Sequence, residues 1–293
     1  KELQDFISRF SANKSKSKQA TARRKLLDKL TVQEMPASSR RYPWVGFSPD
    51  REVGKDILFV TDVSKTIDGV KLLEEALKWD APLETVMLTE GVDIPDLPDG
   101  VRLVQVPRDV MASISPMDSP QGALFLCRTG ETAPPERLPG ERYLVLDGVQ
   151  DPGNVGTIWR TADALGADGL ILVNGCADPW NPKTVRATMG ACFRLPVYET
   201  AADGLAPWLG EQGLPLYATA LREDTVDLRQ ADLSRCAVVI GSEGRGISDG
   251  LLSQCEKTLK IPMRARCESL NAAAAAPVVV WATARVSRAA KRR

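Results

Sequence analysis

Three loops of the sequence combine glycine with side chains that can bind or activate a substrate. The first, LDGVQDPGNVGTIWR, carries Asn154 and Arg160; the second, VVIGSEGRGIS, carries Glu243; the third, IPMRARCESLN, carries Ser269 and Asn271. A guanidinium can grip a phosphate through two hydrogen bonds and stabilise a developing oxyanion, whereas the carboxylate, hydroxyl and amide groups can orient a polar ligand. Each loop taken singly also suits a structural role, because Asn and Ser commonly cap helices and arginines commonly lie at the surface.

The composition excludes several kinds of chemistry. The 293 residues contain no histidine, which excludes Ser-His-Asp triads, Cys-His pairs and imidazole acid–base catalysis. The six cysteines are too scattered for any CxxC pair, so we expect reduced, mostly buried thiols and no metal site. No apolar run approaches the roughly 20 residues of a membrane helix and no signal peptide is recognisable, so we expect a cytoplasmic protein without a membrane partner.

Apolar runs bounded by glycine and proline place the three loops at the ends of buried strands. In the second half of the chain we predict strands at 143–147, 170–173, 216–220, 237–241 and 259–261, and helices at 154–165, at 182–189 and from about 269. This alternation indicates a mostly parallel sheet with helices on both faces. Because ligands bind beyond the carboxyl ends of such strands, we expect the functional loops after Asp147, Ala220, Gly241 and Ile261.

The rest of the chain divides into three further segments. Residues 66–130 predict a small α/β domain, with strands at 83–88, 101–106 and 122–127 and helices at 69–79 and 108–113. Residues 131–142 are rich in proline and predict a linker to the domain at 143–293. Residues 1–65 are interpreted as a basic appendage, since Lys1 to Lys55 carry 13 basic and 6 acidic residues in a chain of zero net charge. The appendage is either a solvated tail or an arm that contacts RNA phosphates.

The appendage has a resemblance of its own. ISRFSANKSKSKQATARRKLLDKL and SSRRYPWVGFSPDREVG, within residues 3–68, resemble the linker between the two ATPase domains of the ribosome-associated ABC-F proteins. The sequence has no GxxxxGK[ST] phosphate loop, so we do not expect the ATPase activity of those proteins. The segment is interpreted as a fusion, a misassembled gene or an engineered junction.

The three loops, in this order and spacing, resemble the three motifs of the SpoU (TrmH-type) RNA ribose 2'-O-methyltransferases. The intervening segment DPWNPKTVRATMGACFRLPVYE is similar to that family as well. Residues 143–285 resemble the catalytic domain, and residues 70–128 resemble the family's small substrate-recognition domain. The resemblance implies a SPOUT methyltransferase fold, an α/β domain whose C-terminal segment forms a trefoil knot, which works as a homodimer.

The resemblance also implies a cofactor, a substrate and site residues. The cofactor is S-adenosylmethionine, and the substrate is RNA, with rRNA favoured over tRNA. The positions that match the family's active-site residues are Asn154, Arg160, Glu243, Ser269 and Asn271. The expected cofactor contacts are Ala218, Thr219, Ala220, Gly241, Glu243, Gly244, Ile261, Ser269 and Leu270. Lys183 and Arg186 lie three residues apart on a predicted helix, so we expect them to project from one face and hold RNA.

Arg160 is the leading candidate for catalysis. An arginine stays protonated in proteins, which argues against a neutral guanidine that abstracts a proton. We therefore expect Arg160 to grip the substrate phosphate and to stabilise negative charge on the 2'-oxygen, while the phosphate or a water takes the proton. The competing hypothesis is a ribosome- or RNA-binding factor without turnover, which the ABC-F-like segment suggests.

Pro277 is an unusual feature of the predicted C-terminal helix. A proline within a helix removes one backbone hydrogen bond, so we expect the helix to kink or end after one or two turns. Since this helix contributes to the dimer interface in the SpoU family, the geometry of the dimer is the least determined part of the prediction.

Overall fold

Two β-sheets organise the described part of the protein, and both belong to one compact unit. The structure is a computed structural model that describes residues 64–222, 225–264 and 269–290, without the side chains of 64–66, 68 and 285–290. The predicted appendage therefore falls almost entirely outside the described residues, as does Cys267.

The first sheet has four strands, in the spatial order β1–β4–β2–β3. They are β1 (Ser64–Asp68), β2 (Leu83–Leu88), β3 (Arg102–Gln105) and β4 (Ala123–Arg128). β4 runs antiparallel to β1 and β2, whereas β2 and β3 are parallel. Helices α1 (Val70–Lys78) and α2 (Arg108–Ile114) complete this part of the chain. The sequence predicts each of these elements to within a residue or two, except β1, whose sequence SKTID is mostly polar.

The second sheet has seven strands in the order β7–β6–β5–β10–β8–β11–β9. They are β5 (Arg142–Asp147), β6 (Gly169–Val173), β7 (Val197–Glu199), β8 (Leu216–Thr219), β9 (Val226–Asp227), β10 (Cys236–Gly241) and β11 (Lys257–Lys260). Every pairing between these described strands is parallel, which confirms the predicted α/β fold with a parallel sheet. Their carboxyl ends therefore lie along one edge.

Helices cover both faces of this sheet. Successive side chains of a strand point to opposite faces, so both sets are buried beneath helices. The helices are α3 (Pro152–Leu165), α4 (Pro182–Thr188), α5 (Leu205–Glu211), α6 (Asp249–Leu252) and α7 (Ala272–Ala290), with a 3₁₀ turn at Ala191–Phe193. Leu144 and Leu146 pack with the buried faces of α3 and α7, whereas Tyr143 and Val145 pack with α5 and α6. The sequence does not predict β7, which has three residues, or α5, which contains Pro207.

The start of α3 differs from the prediction. Asp151 is the N-cap, and its carboxylate accepts a hydrogen bond from the backbone N–H of Asn154 at 2.9 Å. Pro152 follows at the first helical position, where its missing N–H costs nothing. The possible capping role of Asn154 is therefore wrong, and its side chain is available for another contact.

The expectation that Pro277 ends the C-terminal helix is also wrong, because α7 continues to Ala290. Ala276, Val279 and Val280 are buried in the core beside α3, at most 1% exposed. Packing of this apolar face outweighs the loss of one backbone hydrogen bond. Among the described helices, none is both long enough and apolar enough to cross a membrane.

Candidate functional site

A cavity of about 290 Å³ opens beyond the carboxyl ends of β8, β10 and β11. Its volume lies near the lower end of the range of about 300–1,000 Å³ for small-molecule sites. Seven of the predicted cofactor contacts line it: Thr219, Ala220, Gly241, Glu243, Ile261, Ser269 and Leu270. Residues from the second and third motifs, far apart in the sequence, therefore share one cavity.

Two predicted cofactor contacts do not line this cavity. Ala218 is fully buried in β8, between β10 and β11, and Gly244 lies in the second motif with open space around it. Conversely, the cavity has lining residues that the sequence did not single out, among them Leu221, Ser242, Gly246, Ile247, Lys260 and Met263. Ser242 and Gly246 stand within the second motif, so the motif itself is the signal that could have found them.

The lining has the chemistry that S-adenosylmethionine requires. Leu259, Ile261 and Ala275 offer apolar surface to a flat base, and Glu243 offers a carboxylate to a positive charge. The Ser269 hydroxyl adds a polar group to the same wall. Thr219 contributes less polarity than its type suggests, because its hydroxyl donates to the Val239 carbonyl at 2.8 Å.

The second motif folds into a closed loop against the end of β10. Ser242 and Gly246 exchange two backbone hydrogen bonds, of 3.1 and 2.9 Å, and Gly246 adopts φ +69°. The loop lies so close to Gly241 that a Cβ on this residue would stand 2.2 Å from the Gly246 carbonyl carbon. Glycine at 241 is therefore a steric requirement of the cavity wall.

A side-chain hydrogen bond joins the first motif to this loop. Asn154, the third residue of α3, donates from Nδ2 to Oε1 of Glu243. Glu243 lines the cavity, so this bond places the amino end of α3 at the cavity mouth. Residues 89 positions apart are thereby brought together.

The structure does not bring Arg160 or Asn271 into the cavity wall. Arg160 is exposed on α3, and its side chain has no hydrogen bond or ion pair with another residue that the structure describes. Asn271 caps α7, where its Oδ1 accepts a hydrogen bond from the Ala273 N–H at 2.9 Å. This contact supports the start of the helix directly after Ser269 and Leu270.

Lys183 and Arg186 have different surroundings on α4. Lys183 forms a 2.7 Å ion pair with Asp151, and the hydrogen bond from this lysine holds the pKa of the Asp151 carboxyl below its usual value. Arg186 instead lines a second cavity, of about 310 Å³, together with Lys71 and Glu75 of α1. Only Lys183 is therefore linked to the amino end of α3.

We expect the described cysteines to stay protonated near neutral pH. All five are free, and burial raises the pKa of Cys127 and Cys236 to about 12 and that of Cys192 to about 11. Such thiols stay protonated, whereas the thiolate is the reactive form. Within the described ranges, no group of cysteine, aspartate and glutamate side chains could hold a metal ion.

The fold and cavity define a parallel α/β protein with a small-molecule-sized cavity at the carboxyl edge of its sheet, and comparison with known proteins identifies the family. The model of the SpoU rRNA methylase family matches residues 141–281, and that of the MRM3-like substrate binding domain matches residues 64–124. The 23S rRNA (guanosine(2553)-2'-O)-methyltransferase RlmP of Bacillus subtilis is 34% identical over 217 residues, 73% of this chain and 86% of that protein. The chain belongs to the SpoU rRNA methylase family.

Solved structures agree with this assignment. The AdoMet-bound rRNA methyltransferase of Sinorhizobium meliloti is 31% identical, with a TM-score of 0.66 over 76% of this chain and 87% of that one. The SpoU methyltransferase AviRb of Streptomyces viridochromogenes, in complex with AdoMet, is 25% identical, with a TM-score of 0.66 over 76% of this chain and 89% of that one.

The N-terminal segment has separate relatives. An ABC transporter family model matches residues 1–44. The uncharacterized ABC transporter ATP-binding protein YkpA of Bacillus subtilis is 61% identical over 74 residues, which are 25% of this chain and 14% of that protein. The predicted resemblance of this segment to ABC-type ATPases is confirmed.

Proposed function

We propose that this protein transfers a methyl group from S-adenosylmethionine to the 2'-hydroxyl of a ribose in ribosomal RNA. Membership of the SpoU family and the rRNA 2'-O-methyltransferase RlmP support the reaction and the RNA class. The AdoMet-bound relatives support the cofactor. The observation that carries the proposal in this chain is the Asn154–Glu243 hydrogen bond, because it joins the first motif to a cavity lined by the other two.

The cavity residues would hold the cofactor, which supplies an activated methyl group on a positively charged sulfur. Backbone groups near Ala220, Gly241 and Leu270 give hydrogen bonds without flexible side chains, and the Glu243 carboxylate complements positive charge. We assign Ser269 to polar contacts in the same wall. Ala218 would support the wall from within the sheet, where it lies between β10 and β11, and Gly244 would contact the cofactor only at the exposed turn of the second motif.

Arg160 is assigned to the RNA. Its exposed guanidinium grips a substrate phosphate through two hydrogen bonds and stabilises negative charge on the 2'-oxygen as the proton departs to the phosphate or to a water. Asn154 orients Glu243 at the cavity mouth, and Asn271 fixes the start of α7. Lys183 and Arg186 add positive charge for RNA phosphates.

The remaining architecture follows the family. Residues 143–293 form a SPOUT domain with a C-terminal trefoil knot, residues 66–130 form the substrate-recognition domain, and residues 131–142 link them. Residues 1–65 form the basic appendage. The protein works in the cytoplasm as a homodimer. The homodimer is supported by α7, which presents Val278 and Trp281, 37% and 52% exposed, at neighbouring positions of one face.

Two arginine substitutions test the proposed role. Arg160→Ala should abolish methyl transfer to total rRNA and leave the Kd for S-adenosylmethionine, measured by isothermal titration calorimetry, unchanged. Arg160→Lys keeps the charge but loses the two-pronged grip, so it should fail nearly as badly. Arg229→Ala, which removes another exposed arginine, is the matched control and should retain activity. Normal transfer by Arg160→Ala would refute the assignment, and cofactor binding without transfer by the natural protein would favour the RNA-binding alternative.

A further inference from the structure

The carboxylate of Asp147 lies at the carboxyl end of β5, where it joins three loops of the second sheet. In the strand register, Asp147 stands between Gly241 of β10 and Val173 of β6. Only 3% of the residue is exposed. A buried carboxylate is costly unless hydrogen bonds satisfy it, so its partners deserve a functional explanation.

Both carboxylate oxygens are satisfied by neighbouring loops. Oδ2 accepts a hydrogen bond from the Ser248 N–H at 2.6 Å, and Oδ1 accepts one from Asn174 Nδ2 at 2.8 Å. The Asn174 amide also donates to the Ser248 hydroxyl at 3.1 Å. Asn174 adopts φ +54°, a left-handed conformation that asparagine tolerates better than most residues.

These contacts close the loop that carries Glu243. The loop leaves β10 at Gly241, which pairs with Asp147 in the sheet, and it ends at Ser248, which donates to the Asp147 side chain. One residue therefore holds both ends of the segment that forms a wall of the proposed cofactor cavity. A further cavity, of about 380 Å³, also borders this segment and shares Ser242 and Gly246 with the first. The loop therefore lies between two cavities.

We infer that Asp147 and Asn174 are positioning residues that form a latch, defined as the hydrogen bonds among Asp147, Asn174 and Ser248, and that this latch sets the affinity for S-adenosylmethionine. The inference rests on the proposed function, since it takes the cavity at Gly241 and Glu243 as the cofactor site. Neither latch residue lines that cavity. They act through the loop, which in their absence samples positions that do not form the wall.

Single substitutions should break the latch without removing any cavity residue. Asp147→Ala removes both acceptors, so the Ser248 N–H and the Asn174 amide lose their partner. Asn174→Asp places two carboxylates together. Each should raise the Kd for S-adenosylmethionine by about ten- to a hundredfold, the effect of losing hydrogen bonds to a charged group. The KM for the cofactor should rise in parallel, with a smaller effect on kcat at saturating cofactor.

The double substitution Asp147→Asn/Asn174→Asp reverses donor and acceptor and retains the net charge. The new amide at 147 can accept from the Ser248 N–H and donate to the new carboxylate at 174, which also accepts from the Ser248 hydroxyl. We therefore expect the double variant to recover a Kd within about threefold of the natural protein. A role of Asp147 in stability alone does not predict recovery of cofactor affinity.

A control variant, a milder latch variant and a fallback complete the experiment. Asp232→Asn alters an exposed aspartate in the segment before β10, where it accepts from the Ser234 N–H, and should leave the Kd unchanged. Ser248→Ala retains the backbone donor to Asp147 and removes only the 3.1 Å bond from Asn174, so it should raise the Kd less than the variants at 147 and 174. If a single variant at 147 does not fold, Asn174→Gly serves instead, because glycine accepts the left-handed backbone while removing the donor to Asp147.

The outcomes separate the latch from the proposed function. Titration calorimetry on the full chain measures cofactor binding without RNA, so absent RNA methylation alone would count against the function only. A natural Kd in a folded Asp147→Ala or Asn174→Gly variant would overturn the latch. A folded double variant that binds no better than the single ones would overturn it as well.

Discussion

Gly241→Ala tests the steric basis of the cofactor cavity. The added Cβ would lie 2.2 Å from the carbonyl carbon of Gly246 and 2.4 Å from its oxygen and from the Ile247 nitrogen. All three atoms belong to backbone, and carbon atoms in contact normally stand about 3.5–4.0 Å apart. The loop that starts at Ser242 must therefore retreat by roughly 1 Å or more, which deforms the cavity wall.

The size of the expected loss in affinity follows from the cost of overpacking, which is about 1–3 kcal/mol for an added methyl group in a filled site. If binding S-adenosylmethionine requires the natural position of the loop, a cost of this size weakens affinity by about five- to 150-fold. We also expect the melting temperature to fall, by about 2–4 °C for each kcal/mol. Isothermal titration calorimetry gives the first quantity and thermal unfolding the second.

Gly244→Ala is the matched control, because it adds the same methyl group in the same loop. No atom lies within 4 Å of its Cβ position, so the Kd and the melting temperature should stay close to the natural values. Equal cofactor affinity in the two alanine variants would refute the assignment of this cavity to S-adenosylmethionine.

Two further predictions concern stability. Arg194 forms ion pairs with Asp163 of α3 and Glu75 of α1, and only 20% of its side chain is exposed. Arg194→Met should therefore lower the free energy of unfolding, measured by urea denaturation, by about 1–3 kcal/mol. Unchanged stability would show that these ion pairs do not hold the two sheets together. Burial raises the pKa of Cys127 from 9.0 to about 12. The contribution of its buried, protonated thiol to the free energy of unfolding is therefore complete below pH 9 and is lost as the pH rises towards 12. Between about pH 9 and about pH 11, the free energy of unfolding should fall more steeply in the natural protein than in Cys127→Ala, and equal slopes would contradict this.

The strands of the second sheet show how much a sequence can predict. β5, β6 and β10 are buried on both faces, so their sequences are continuous apolar runs bounded by turn residues. β1, whose sequence SKTID is mostly polar, has no such run and lies at the edge of the first sheet. The expected end of α7 at Pro277 failed because local propensity does not include the tertiary packing that holds the helix.

The candidate site was likewise predicted from the sequence only in part. Motif spacing identifies Asn154 and Glu243, but only the fold shows that they bond to each other across 89 positions. Asp147 was recognised only as the end of a strand, because nothing local indicates that its carboxylate reaches Ser248, 101 positions away. Arg160 is the opposite case, since the motif marks it while the cavity of the single chain does not include it.

Transfer of tritiated methyl from S-adenosylmethionine to rRNA, followed by mapping of the modified position through resistance to alkaline cleavage, tests the central claim most directly. A 2'-O-methyl group removes the hydroxyl that attacks the adjacent phosphate, so one linkage should become resistant. DNA of the same sequence lacks this hydroxyl and should remain unlabelled. Label at a base with cleavage unaltered, or no transfer by a protein that binds the cofactor, would contradict ribose methylation.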